Sequence, residues 1–108
     1  MTTTKFDGVT VQTQARVYFD GKCISHVITF ADGTQKTVGV VMPATLHFNT
    51  CEPEVMECVA GRCEYKLSGS DVWLSSEPGE KFSVLAHSAF DIRVSEESRS
   101  YHYICHLG

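Results

Sequence analysis

The chain alternates in twos. No window of about 11 residues or more keeps an apolar period of 3.6, whereas short pieces alternate apolar and polar side chains. Turn residues cut these pieces at close intervals. Segments 14–19 and 22–30 flank Asp20-Gly21, a dipeptide that favours a hairpin. Asp32-Gly33 turns the chain into 36–42, and Pro43-Ala44 marks a bend before 45–50. Segments 54–60 and 62–67 flank Gly61, whose freedom at positive φ predicts a tight turn between them. Gly69-Ser70 and Pro78-Gly79 bound a strand near 72–75, and further strands are expected near 80–85, 89–94 and 100–107. About ten short strands at such spacing predict an all-β sandwich or small barrel. The helices of a parallel-sheet fold are missing, and no helix longer than about three turns is expected. Residues 1–12 read as a polar arm, ordered or frayed, and 13–108 as the barrel domain.

Composition narrows the function. A chain of 108 residues is one domain, and 43% apolar with 20% charged residues is enough to build a core. Nine Lys and Arg against 13 Asp and Glu give a net charge of −4, with no basic stripe to neutralise phosphates, which argues against a nucleic-acid binder. The longest apolar run, Val38 to Ala44, holds Gly39 and Pro43 and is too short for a membrane helix. No apolar stretch follows Met1-Thr2-Thr3-Thr4-Lys5, so no signal peptide is expected. Five cysteines, an odd number with no Cys-x-x-Cys pair, predict reduced thiols in a cytoplasmic protein, serving mainly as small core residues. A catalytic thiol would need a His or a helix start beside it.

Alternation also sorts the faces. Glu54, Met56 and Cys58 share one side of their strand, and Val55, Glu57 and Val59 the other. His47 and Asn49 lie opposite Leu46 and Phe48, and Phe90, Ile92 and Val94 lie opposite Asp91 and Arg93.

The run His47-x-Asn49-x4-Glu54-x6-Gly61 resembles the first cupin motif, whose histidines and glutamate bind a metal inside a small barrel. Gly79-x5-Leu85 followed by Phe90 resembles the second, where cupins put proline at the Leu85 position and the last metal histidine at the Phe90 position. Two of four ligands are therefore replaced, by Asn49 and Phe90, and no functional metal is expected. More of the chain joins a closer resemblance. Tyr18-Phe19-Asp20-Gly21-Lys22, Lys36-Thr37-Val38-Gly39-Val40, Glu52-Pro53-Glu54-Val55-Met56-Glu57 and Gly61 are followed by Pro78-Gly79-Glu80-x-Phe82-x-Val84 and His87-Ser88-x-Phe90. Their order and spacing are similar to the pyrimidine/purine nucleoside phosphorylase family. Leu85-Ala86 departs from it, standing where many relatives have Pro-Gly.

The resemblance implies a cytoplasmic, single-domain cupin barrel of jelly-roll type that pairs into homodimers. It implies phosphorolysis of purine and pyrimidine ribonucleosides to free base and α-D-ribose 1-phosphate, with phosphate as co-substrate and no cofactor. That chemistry sets three tasks. Lys36 and Thr37, followed by Gly39, are the expected phosphate holders, the alternative being a solvated lysine at a strand start; Arg62 is the next cation, or sits on an exposed turn, and Arg93 is expected to pair with Asp91. Glu54, on the expected interior face, is assigned to the ribose because an acid there is costly unless something binds it. Glu57 faces the other way, as an exposed or interface-facing charge. His87 suits proton transfer to the leaving base, or caps a turn with Ser88. Phe90 stacks on the base or packs the core, and His47 and Asn49 are further substrate contacts. His102 and His106 share a face that lines the pocket or a dimer seam. The competing reading is a non-catalytic cupin that binds a small ligand or acts as a structural dimer.

Overall fold

A computed structural model describes residues 3–107. It contains eleven strands: β1 (Thr10–Val11), β2 (Arg16–Tyr18), β3 (Cys23–Thr29), β4 (Gln35–Val41), β5 (Ala44–Asn49), β6 (Glu54–Gly61), β7 (Cys63–Leu67), β8 (Leu74–Ser76), β9 (Lys81–Val84), β10 (Ala89–Val94) and β11 (Tyr101–Leu107). The only helical element among the described residues is one 3-10 turn, Phe19–Gly21. The larger sheet runs β1-β3-β4-β11-β6-β9, with β2 also paired to β3. The smaller runs β5-β10-β7-β8. Every strand pair is antiparallel.

Local chemistry explains the turns. At the first hairpin Phe19, Asp20 and Gly21 all take positive φ, joining β2 to β3. At the second, Asp32 accepts hydrogen bonds from the Thr34 amide (2.9 Å) and hydroxyl (2.7 Å), which ties the β3–β4 loop. At Gly61 the expected hairpin is not found. β6 pairs with β11 and β9, whereas β7 pairs with β10 and β8, so the chain changes sheets there. Gly61 has φ +73°, and a Cβ would collide with the Ser100 carbonyl. The glycine serves a corner between layers rather than a turn between neighbours.

The two sheets close over one core that includes Val41, Leu46, Met56, Phe82, Ile92 and Tyr101. Cys23, Cys58, Cys63 and Cys105 belong to it, while Cys51 is exposed. The arm before residue 13 is anchored: β1 pairs with β3, and Phe6 meets Phe30 edge-on at 5.2 Å. Gly39 matters to the interior in another way. A Cβ there would lie 2.6 Å from the Tyr103 hydroxyl, so glycine lets that ring cross β4 and reach Cys23 Sγ at 3.6 Å.

Candidate active site inside the barrel

Two large hollows exist in the described structure. One, about 590 Å³, lies on the outer face of the larger sheet, between the arm and Ile24, Val38, Val40 and Ile104. It is apolar, with His26 and His102 among its few polar neighbours. The other, about 410 Å³, lies inside the barrel. Specific chemistry needs a few convergent polar groups on an apolar wall, and the inner cavity is the one that brings a carboxylate and an arginine together with aromatic rings.

Its polar wall comes from adjacent strands of the larger sheet. Glu54 of β6, Cys105 of β11 and Thr37 of β4 all face inward. Cys105 Sγ donates to Glu54 Oε1 at 3.5 Å. Burial lifts the Glu54 carboxyl above the usual range; the Cys105 hydrogen bond opposes this and nearby Glu52 adds to it. The Cys105 thiol is pushed up to about 12, first by burial and then by Glu54, with a Thr37 hydrogen bond acting the other way. Arg16 of β2 brings a cation to the same cavity. Tyr18 and Phe19, both exposed, flank its lining.

The opposite wall is aromatic. Phe19 meets Phe48 edge-on at 5.4 Å, and Phe48 stacks on Phe90 at 5.3 Å. Phe90 is only 3% exposed and also meets Phe82, so it backs the wall from the core. Phe48 and Phe19 present the reachable ring surfaces.

The other expected residues are placed differently. Lys36 is one residue from Thr37 and therefore on the outer face, where its ammonium donates to His106 Nδ1 at 2.7 Å. That bond leaves His106 Nε2 as the donor to Glu57 Oε1, at 2.9 Å. Glu57 is not exposed: it keeps 4% of its surface, with Lys81 at 3.8 Å and the Thr3 amide at 3.5 Å. His102 and His106 share this outer face and do not line the inner cavity. His47 points away from the core, its Nδ1 2.6 Å from Asp91 Oδ1, and reaches the cavity only at its edge, as does exposed Asn49. Bulky Leu46 and Phe48 take the interior side of β5 instead. Arg93 bonds Glu64 at 2.9 Å and lies over Trp73 at 4.1 Å; Asp91 pairs with His47 and Lys66. His87 is exposed at positive φ and is absent from the lining. Thr50, not His87, ties its loop: the Thr50 hydroxyl donates to the Leu85 carbonyl at 2.6 Å and accepts from the Ser88 amide at 3.0 Å.

These placements test the cupin metal set. His47 is turned to Asp91, Asn49 is a poor ligand and Phe90 has no donor, which leaves Glu54 alone facing the cavity. The residues do not fit a transition metal, which takes at least three protein ligands in a catalytic site.

Arg16, Cys105, Phe19 and Phe48 escaped the sequence reading. The hairpin at Asp20-Gly21 held the signal for Arg16, because extending its register sets Arg16 opposite inward-facing Ser25.

The sequence pattern of the pyrimidine/purine nucleoside phosphorylase family matches residues 13–107. The chain belongs to this family. A curated relative of that name from Albidiferax ferrireducens is 68% identical over 108 residues, covering 100% of both chains. Another, from Polaromonas sp. (strain JS666 / ATCC BAA-500), is 64% identical, again over 100% of both. A crystal structure of a protein of unknown function from Acinetobacter sp. ADP1 superposes with TM-score 0.92 and 40% identity, covering 96% of this chain and 98% of that one. An RmlC-like cupin from Shewanella frigidimarina NCIMB 400 gives TM-score 0.68 at 14% identity, covering 89% and 83%. That last likeness shows the fold alone: the chain has an all-β, cupin-like fold.

Proposed function

We propose that the chain is a nucleoside phosphorylase, converting purine and pyrimidine ribonucleosides and phosphate to free base and α-D-ribose 1-phosphate. Family membership supports the reaction class. The observation that supports a site for it is Glu54, a carboxyl that burial lifts above its usual range, on the wall of a cavity of about 410 Å³ that also carries a cation and aromatic rings.

In this reaction a phosphate oxygen bonds to ribose C1′ while the C1′–N bond breaks. The bonding pair leaves with the base, and the proton that hydrogen phosphate gives up ends on the base. Positive charge develops on the sugar ring, as in other glycosidic cleavages. Ionised Glu54 accepts hydrogen bonds from ribose hydroxyls and stabilises that charge as it grows. Arg16 and the Thr37 hydroxyl hold phosphate in place of Lys36, which faces the other way. Phe48 and Phe19 give the base a flat apolar surface without reading its edge, which suits more than one base. His47 and Asn49 contact substrate only at the rim.

A second copy of the chain is the partner proposed for the outer groove, whose side chains Ile24, Val38, Val40 and Ile104 are apolar. The odd set of five cysteines supports a reducing, cytoplasmic setting.

The test is to incubate the purified protein with uridine or inosine, with and without phosphate, and follow free base. Phosphate-dependent release supports the proposal. Tight nucleoside binding without release would make the chain a binding module instead.

A further inference from the structure

Cys105 reaches into the inner cavity, and the chemistry above gives it no task. β11 pairs with β6 so that Cys105 stands opposite Met56, and Leu107 opposite Glu54. Cys105 and Glu54 are thus diagonal neighbours on the inner face, within side-chain reach. On its other side β11 pairs with β4, where Cys105 stands opposite Thr37. The thiol therefore sits between a hydroxyl directly opposite on β4 and a carboxylate diagonally across on β6. It is 6% exposed, so it has little water to bond.

We propose that Cys105 is a positioning residue: its S–H holds Glu54 Oε1 against the cavity wall and keeps that carboxylate ionised and aimed at the substrate. This rests on the reading of Glu54 given above. The thiol is suited to donation rather than to attack. With its pKa pushed up to about 12 by burial and by Glu54, it stays protonated through the neutral range. A hydrogen bond to the ionised form favours that form, so the thiol works against the burial that raises the Glu54 pKa.

Other titratable or charged groups lining the same cavity are Tyr103 on β11, Arg16 and Tyr18 on β2, and His47 at the edge of β5. Glu52, in the loop before β6, adds a like charge. Replacing Cys105 leaves all of them in place, so a change in Glu54 titration reports the thiol.

The experiment follows Glu54 in two ways. In the ligand-free protein its side-chain carboxyl carbon is titrated by NMR. In the active protein the acid limb of kcat/KM for inosine is measured. Cys105→Val, similar in size but without a donor, is expected to raise the Glu54 midpoint by about 0.5–1 pH unit and to move the acid limb upward with it. Cys105→Ser restores a donor and should bring both back towards wild type. Cys51→Ser, on the exposed thiol outside the cavity, should move neither. If Cys105→Val does not fold, Cys105→Ala gives the same readout. A Glu54 midpoint that stays put in a folded donor-free variant overturns the proposal, as does a Cys105→Ser shift as large as that of Cys105→Val. The NMR titration needs no turnover. A wild-type protein that releases no base would therefore sink the proposed function while still deciding the role of Cys105.

Discussion

Glu54 and Glu57 lie three residues apart on β6 and meet opposite environments. Glu57 faces outward yet keeps only 4% of its surface, and His106 and Lys81 supply it with cationic or donating partners. Glu54 faces inward, is half-buried, and has a thiol for its donor; it makes no ion pair among the described residues. One carboxylate is satisfied within the fold. The other is left with bonding capacity that a ligand can use. A buried acid is costly unless paired, so the poorly paired one is the candidate for the proposed site and the well-paired one is the candidate for the scaffold.

Glu54→Gln should break this contrast most visibly. It keeps the shape and removes the charge to which the proposed mechanism assigns stabilisation of the developing oxocarbenium. A loss of about 1.5–3 kcal/mol of transition-state stabilisation, roughly ten- to a hundredfold, should fall mainly on kcat. Stability should move the other way. Because the folded pKa of Glu54 is raised, the stability due to its protonated form is present below the unfolded pKa and is lost as pH rises through the folded value. At neutral pH the carboxylate therefore opposes folding, and Glu54→Gln should melt no lower than wild type. A variant that loses melting temperature and activity together would show that Glu54 supports the fold instead.

Glu57→Gln is the converse. It unties His106 and Lys81, and urea unfolding should show a loss of about 1–2 kcal/mol, a modest figure because Lys81 is largely exposed and screened. The folded fraction should keep kcat within about twofold. A large fall in kcat at unchanged stability would move Glu57 from the scaffold into the chemistry.

Much of this contrast was legible in the sequence, because a period of two separates Glu54, Met56 and Cys58 from Glu57 without reference to any partner strand. Period two also put His47 opposite Phe48, and the structure follows that alternation rather than the cupin ligand spacing: two large apolar side chains outcompete an imidazole for the interior of β5. What alternation cannot carry is which strands pair. Gly61 reads as a hairpin turn until β6 and β7 are found in different sheets, and the Cys105–Glu54 contact joins residues 51 apart. Arg16 was hidden for a further reason. Its strand is three residues long and exposed throughout, so no apolar rhythm points to the cavity behind it.

The smallest effect is expected at Lys36, and it sharpens the division between the faces of the larger sheet. Lys36 and Thr37 are neighbours in sequence, and a lysine beside a hydroxyl suggests a phosphate clamp. On a strand, though, neighbours point to opposite sides. Lys36 reaches His106 outside the barrel, and only Thr37 reaches the cavity. Lys36→Ala should therefore leave KM for phosphate within about twofold, while loss of its hydrogen bond lowers stability by about 0.5–1.5 kcal/mol. Arg16→Ala should do the reverse, raising KM for phosphate about three- to tenfold with little change in melting temperature, since its side chain is exposed and one charge-assisted contact at the surface is partly screened. The two variants are read together by varying phosphate at saturating nucleoside. A rise in phosphate KM for Lys36→Ala and none for Arg16→Ala would place the anion on the outer face of the sheet, across the wall from Glu54, and would separate the two subsites that phosphorolysis must bring into contact.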